Sequence, residues 1–335
     1  MTKQHVLPRI VSFGEGLVDF FPTSAGIPMR ASETFRREVG GAPVNLAFGA
    51  ARLGGRVAMI SKFGQDEFGF FLREQLANAG VNVDGIQHSP EARTGITFVQ
   101  TGAHGERSFL FYRAFSAELT FCPEDVINAR QVIRDSGIVH SGTNLLMHPE
   151  PRKATLALIQ EARTAGALIS LDANLRLHLW KDKTAILPAV MDAISRVDLL
   201  KVNEDEHAFL FGDLSSTEAF REILHPLGVS ALISTEGQLG SRVITPSVNL
   251  HVPADDVDAV DTTGAGDAFL ATLLVCLSRI GSGDLAWPER LKTLDTTQWS
   301  GSLKLSNKIA GMVCASFGAV TGVPHGADVD WETLE

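Results

Sequence analysis

The chain has 335 residues, enough for one large domain or two ordinary ones. It is 44% hydrophobic and 20% charged, which excludes a disordered chain and allows a substantial core. Its 29 Lys and Arg against 39 Asp and Glu give a formal charge of −10, so neither nucleic acid nor an anionic membrane is an expected partner. An anionic small molecule stays open, because a local site can invert the global field. Cys122, Cys276 and Cys314 are too few and too scattered for a disulfide framework or a zinc site, and they fit a reduced, cytoplasmic setting. The most apolar run, residues 268–277, is about half of the roughly 20 residues a membrane span needs. The N-terminal stretch lacks the apolar segment of a signal peptide.

Strand-like and helix-like segments alternate along most of the chain. Residues 10–13 form a short β-rich run. Residues 43–53 read as a helix with Pro43 in its first turn, an apolar face of Val44, Ala47, Phe48 and Ala51, and a Gly54-Gly55 stop. A strand at 57–61 precedes a helix at 66–79, where Phe68, Phe71, Leu72, Gln75 and Leu76 fall at helical spacing and Gly80 takes the C′ position. A strand at 137–141 and a helix at 150–165 follow. Residues 167–171, 198–202 and 229–234 are continuously apolar strands separated by helical segments. This repetition predicts a parallel sheet covered on both faces. Two stretches interrupt it. Residues 94–101 and 107–113 alternate like a hairpin, and 20–39 holds no convincing helix. Pattern alone fits a small β appendage and two ordinary surface hairpins equally well. Residues 281–301, polar and without a sustained helical face, read as a surface insertion.

The richest chemistry lies in Asp261-Thr262-Thr263-Gly264-Ala265-Gly266-Asp267, directly before an apolar helix. Small residues let the backbone bend and leave the first helical N–H groups free to hold phosphate. Asp267 in that turn is placed to take a proton from a hydroxyl attacking the phosphate, although spacing alone fits a favourable first-turn acid as well. Gly40-Gly41-Ala42-Pro43-Val44-Asn45 offers a hinge or a close backbone approach, with the Asn45 amide reaching sugar hydroxyls or simply satisfied within the fold. Gly14-Glu15-Gly16-Leu17-Val18-Asp19 imitates a dinucleotide fingerprint, but Asp19 replaces its third glycine and would repel pyrophosphate. At the carboxyl end of a strand, Asp19 suits a neutral polyol. Asp172–Arg176 and Asn203–Glu206 follow two further strands. Asn203 and Glu206 share a helix face and could order hydrated magnesium, or could be an exposed acidic helix start. Ser234–Gly240 is a two-glycine turn. No Walker A, HExxH, GxSxG or EF-hand pattern occurs, so any nucleotide site is of another type.

GGAPVN, NEDE, TEGQLG and DTTGAGD, in this order and spacing, resemble the ribokinase-like (phosphofructokinase-B-type) sugar kinase family from about Ile10 to Pro324. GEGLVDFFPT, GQDEFG, ERSFLFYR and DANLRLHLW look like its plant and bacterial fructokinase branch. The resemblance implies a three-layer α/β/α sandwich with a mostly parallel central sheet, one domain over 1–335, and a β lid formed by about 20–40 and 94–115. It implies phosphoryl transfer from MgATP to a sugar's primary hydroxyl, most simply fructose to fructose 6-phosphate. Carried over by position, Asp267 is the base, and Gly264, Ala265 and Gly266 are the anion hole with the Asp267 N–H. Asp19, Gly40, Gly41 and Asn45 are sugar contacts. Thr235, Gly237, Gly240 and Asn307 line the nucleotide site. Asn203 and Glu206 match the magnesium-associated NxxE motif, and Asp261, Thr263, Ser316 and Gly318 fall where many members hold potassium. Thr272 stands where a smaller residue is common. Phe98, Phe111, Tyr112, Arg113 and Arg176 are expected to choose the acceptor, with 2-keto-3-deoxygluconate, ribose or a riboside as alternatives to fructose. A nicotinamide dehydrogenase and a non-catalytic sugar sensor are the competing classes. A homodimer paired through the lid is a further expectation.

Overall fold

The computed structural model describes residues 9–23, 29–101, 107–280 and 286–334. The strands are β1 (Arg9–Phe13), β2 (Leu17–Pro22), β3 (Phe35–Gly40), β4 (Arg56–Gly64), β5 (Asn82–Ser89), β6 (Gly95–Thr101), β7 (Arg107–Tyr112), β8 (Ser136–Gly142), β9 (Leu168–Asp172), β10 (Leu199–Asn203), β11 (Ala231–Thr235), β12 (Ser241–Ile244) and β13 (Asn249–Val252). The helices are α1 (Ala42–Arg52), α2 (Glu67–Asn78), α3 (Pro123–Asn128), α4 (Arg130–Arg134), α5 (Pro149–Thr164), α6 (Ile186–Ile194), α7 (Glu204–Phe211), α8 (Ser216–Ala219), α9 (Ala265–Ile280), α10 (Trp287–Thr293) and α11 (Thr296–Cys314).

Nine strands form the main sheet in the order β13-β12-β11-β10-β9-β8-β1-β4-β5. From β5 to β11 all neighbours are parallel, and β12 and β13 add antiparallel edges. Successive side chains of a strand point to opposite faces. Ile10 and Val11 accordingly belong to two separate cores, one under α1, α9 and α11 and the other under α5 and α6. From β1 the chain builds outward to β4 and β5, then returns to start β8 on the other side. The strand order therefore reverses between β1 and β8, where open α/β sheets leave a crevice at their carboxyl ends.

The four remaining strands form a second sheet in the order β3-β2-β6-β7. Its β2–β6 pairing is parallel, which joins the two interrupting stretches into one appendage and rules out two independent hairpins. Here β2 starts at Leu17, so Asp19 sits inside a strand of this small sheet and not at the carboxyl end of a main-sheet strand. No helix follows β1, so the Gly14-Glu15-Gly16 turn lacks the helix a dinucleotide fingerprint requires. The turn predicted over 102–106 lies outside the described residues.

The predicted insertion at 281–301 is corrected: its described part forms α10 and the start of α11, with Leu291 buried and Trp299 fully so. The buried face that Trp299 begins escapes notice because serines continue it past residue 301. Ser302 and Ser306 are buried and donate to the carbonyls of Gln298 and Ser302, satisfying their hydroxyls inside the helix. Along α1 the buried face includes Leu46 and Ala50, whereas Phe48 and Ala51 are only half-buried. Thr272, the larger residue in α9, is accommodated, with its hydroxyl donating to Ala268 O at 2.7 Å.

Helix α2 is held to the small sheet by its N-cap. Asp66 accepts from Gly69 N at 2.9 Å, Thr94 N at 2.9 Å and Thr94 Oγ1 at 2.7 Å. Burial raises this carboxyl, but the bonds from Thr94 and Gly69 outweigh it and hold the group below its ordinary value. Stabilisation from a lowered carboxylate is complete above the unfolded value and is lost as pH falls through the folded one. Asp66→Ala is expected to cost about 1–2 kcal/mol in urea unfolding at neutral pH. The gap from wild type should close in acid, and a pH-independent gap would remove the carboxylate's charge from the account.

Candidate active site

The N-terminal turn of α9 stands between two depressions. A cavity of about 520 Å³ lies at the β1/β8 reversal, walled by Glu15, Asp172, Lys201, the small sheet, and Thr262, Thr263, Gly264, Gly266 and Asp267 around the start of α9. A cleft of about 250 Å³ lies behind it, lined by Thr235, Gly237, Gly240, Phe269, Asn307 and Gly311. Thr262 and Gly266 border both. All four expected nucleotide residues thus share one cleft, which meets the cavity at the glycine-rich turn.

Gly264 has φ 75°, and a Cβ there would overlap the carbonyl oxygen of Ala319, so only glycine lets the turn close on the chain behind it. The turn is secured from the other side by Asp261, whose carboxylate accepts from Thr263 N at 2.7 Å and Gly318 N at 3.0 Å. Asp267 Oδ2 accepts from Asn45 Nδ2 at 2.8 Å, joining the first turn of α9 to the first turns of α1. Burial raises the Asp267 carboxyl to about 6 despite the Asn45 bond; Asp172 adds to the rise, and Lys201 and Arg176 oppose it. The group thus titrates close to neutrality.

The paired glycines have different uses. Gly41 lines the cavity at φ 98°, and a Cβ on it would come within 2.6 Å of Glu15 O. Gly40 is not a cavity residue, since its missing Cβ leaves room for the Asp19 carboxylate on the neighbouring strand. Asp19 then faces the cavity together with Thr97, Phe109, Phe111 and Arg113. Phe98 and Tyr112 are corrected. Alternation along β6 and β7 puts them on the opposite face, where Phe98 stacks on Phe20 at 5.4 Å and meets Tyr112 edge-on at 5.7 Å. Tyr112 is 61% exposed there and does not border the cavity. Arg176 borders it and is exposed.

Asn203 and Glu206 meet as a capping box at the start of α7. Asn203 Oδ1 accepts from Glu206 N at 2.8 Å, and Glu206 Oε2 accepts from Asn203 N at 2.9 Å. Glu206 Oε1 also accepts from Leu175 N at 2.8 Å, so this acid is buried and held, contrary to an exposed helix start. Ser316 Oγ donates to Met312 O, whereas Thr263 Oγ1 is buried with no hydrogen-bond partner among the described residues.

Several polar groups of the cavity were not singled out by sequence. Glu15, just past β1, accepts from Asn144 Nδ2, just past β8, at 2.7 Å across the crevice. Lys201 Nζ is buried 3.1 Å from Asp172 Oδ1. Burial pushes its ammonium down, but Asp172 and Glu206 more than offset that and keep it charged. For Glu15 and Asn144 the available signal was positional, since each lies just beyond the carboxyl end of a parallel strand, whereas Lys201 lies in the middle of β10.

The model of the pfkB family of carbohydrate kinases matches residues 7–326, and the chain belongs to that family. It is therefore a phosphotransferase with a sugar hydroxyl as acceptor. Probable fructokinase-5 of Arabidopsis thaliana is 36% identical over 322 residues, covering 96% of each chain. The crystal structure of a fructokinase from Xylella fastidiosa with bound ATP superposes with a TM-score of 0.86 at 28% identity, covering 98% of each chain. A Vibrio cholerae fructokinase in a fructose-, ADP- and calcium-bound form gives 0.81 at 29% identity, covering 98% of this chain and 99% of that one. Among the described residues no helix is long and apolar enough to cross a membrane.

Proposed function

We propose that the chain transfers the γ-phosphoryl of ATP to the primary hydroxyl of fructose, giving fructose 6-phosphate. The observation that carries this reading is the position of Asp267. It stands in the turn that divides the sugar-sized cavity from the cleft of Thr235, Gly237, Gly240 and Asn307, with Asn45 orienting its carboxylate. Fructose occupies the cavity, held by Asp19, Gly41 and Asn45, while ATP lies in the cleft with its γ-phosphate directed through the turn. Asp267 accepts the proton of the attacking hydroxyl. The amides of Gly264, Ala265, Gly266 and Asp267, at the positive end of α9, stabilise charge on the transferring group. Closure of the small sheet over the cavity excludes water, the competing acceptor.

Asn203 and Glu206 fit a hydrated Mg²⁺ better than a directly bound one, because the Asn203 oxygen and both Glu206 oxygens already accept backbone amides. The ion neutralises phosphate charge when bound. The Asp261, Thr263, Ser316 and Gly318 segment fits a potassium site through the Thr263 hydroxyl, which is buried without a hydrogen-bond partner among the described residues. We place the reaction in the cytoplasm, where Cys122, Cys276 and Cys314 stay reduced. A second copy pairs through the outer face of the small sheet, where Leu110 and Tyr112 are exposed. Sedimentation showing only monomer at micromolar concentration would reject that pairing.

A coupled ADP-release assay over a panel of sugars, with and without potassium, tests the reading. Fructose should give the highest kcat/KM, and background rates with every sugar would overturn it. Asp19→Ala is expected to raise the fructose KM by ~10-fold or more, the value of one charge-assisted hydrogen bond, with a smaller change in kcat. An unchanged KM would take Asp19 out of the sugar site.

A further inference from the structure

Arg113 follows β7 and is buried in the wall of the large cavity. A guanidinium keeps its proton in any protein setting, so burying one requires a counter-charge. Glu118 provides it. Its Oε1 accepts from Arg113 Nε at 3.1 Å and from Ser116 Oγ at 2.6 Å. The two side chains retain only 9% and 1% of their surface. The turn between them is fixed, with Phe115 at φ 64° and Ala117 N donating to Arg93 O at 2.8 Å. The pair remains incomplete. Arg113 Nη2 and Glu118 Oε2 are both buried without a hydrogen-bond partner among the described residues. Arg113 thus borders the cavity with one guanidinium donor unused, and a small movement of the side chain would let a ligand oxygen satisfy it.

The surrounding charge decides which kind of oxygen. Five carboxylates and three cations line the cavity. Lys201 is already matched to Asp172, and Arg113 to Glu118, a carboxylate outside the lining itself. Arg176, exposed, is the lining cation that makes no ion pair among the described residues. A sugar acid would bring a further negative charge into this field with no buried cation left to receive it.

We propose that Glu118 is a specificity-determining residue, which neutralises Arg113 so that the guanidinium serves neutral sugar hydroxyls and is denied to the carboxylate of a sugar acid. This rests on the kinase reading of the cavity. Glu118 touches no substrate and acts through Arg113.

The test uses the full chain and Glu118→Gln, which keeps the side chain's shape and removes its charge. Coupled assays compare fructose with 2-keto-3-deoxygluconate, an acid with a terminal primary hydroxyl. The ratio of kcat/KM for the acid to that for fructose should rise ~10-fold or more in the variant. The rise should vanish in the double variant Arg113→Gln/Glu118→Gln. An unchanged ratio in folded Glu118→Gln overturns the proposal, and so does a rise that survives loss of Arg113. Should Glu118→Gln fail to fold, the wild-type protein carries the test. Glucitol should then inhibit more tightly than gluconate, which has the same carbon chain with a carboxylate in place of a hydroxymethyl. Gluconate binding as tightly as glucitol overturns the proposal. Failure to phosphorylate fructose, with glucitol binding more tightly than gluconate in the wild type and that preference weakened in Glu118→Gln, rejects the fructose reading and leaves the role of Glu118 standing.

Discussion

Asp267→Asn is expected to lower kcat by ~10²–10⁴-fold and to leave the fructose KM near its wild-type value. The amide is isosteric but cannot accept the hydroxyl proton, whereas Asp19 and Gly41 still line the cavity that holds the sugar. Its partner Asn45 can reorient to bond either atom of the new amide. The carboxyl titrates near 6, raised by burial against the Asn45 bond. Since the base must be ionised, wild-type kcat/KM should climb as pH rises through about 6 and level off above it. The same raised value has a cost in stability. A carboxyl whose folded value lies above its unfolded one stabilises the fold fully only below the unfolded value, and that contribution fades as pH rises through the folded one. The Asn variant is free of this loss, so its Tm relative to wild type should increase between pH 4 and pH 7. Near-full turnover in the variant would remove Asp267 from the base role, and a flat Tm difference would contradict the burial argument.

Gly264→Ala is expected to lose turnover with both substrates and to destabilise the fold by about 1–3 kcal/mol from backbone strain alone. Two effects combine. The position has φ 75°, and the new Cβ would overlap the Ala319 carbonyl oxygen, a backbone atom that cannot swing aside. Moving the turn would misalign the amides aimed at the transferring phosphoryl, so kcat should fall by at least ~10-fold. Gly166 supplies the control. It also has positive φ, at 78°, but a Cβ there meets nothing within 4 Å. Gly166→Ala should therefore carry strain without collision, with the smaller loss in thermal unfolding and turnover. Equal effects at the two positions would mean that the Ala319 contact plays no part.

Helices α1, α2, α5 and α9 were legible because each carries local signals: a first-turn proline or small residues at the start, apolar spacing, or a terminal glycine such as Gly80 or Gly166. The start of α11 was not, because its buried face is built partly from serines whose hydroxyls are satisfied within the helix. The DTTGAGD turn was legible for the same local reason, since glycines and a first-turn acid announce a helix start with free amides. Glu15, Asn144 and Lys201 were illegible, because each is an ordinary polar residue until strand order brings it to the crevice.

By itself the sequence determined the alternation of strands and helices and the glycine-rich turn with Asp267, because periodicity, caps and backbone freedom are properties of neighbours in the chain. Only the tertiary structure decided that β2 lies beside β6, that Tyr112 faces away from the cavity, and that Asn45 reaches Asp267 across 222 residues. Those facts follow from sheet pairing and the side of the pleat on which a residue falls, and a strand carries no local record of its partner. The match of Arg113 to Glu118 has a short sequence span, yet its meaning depends on burial, which turns a surface-like pair of charges into the setting of a binding wall.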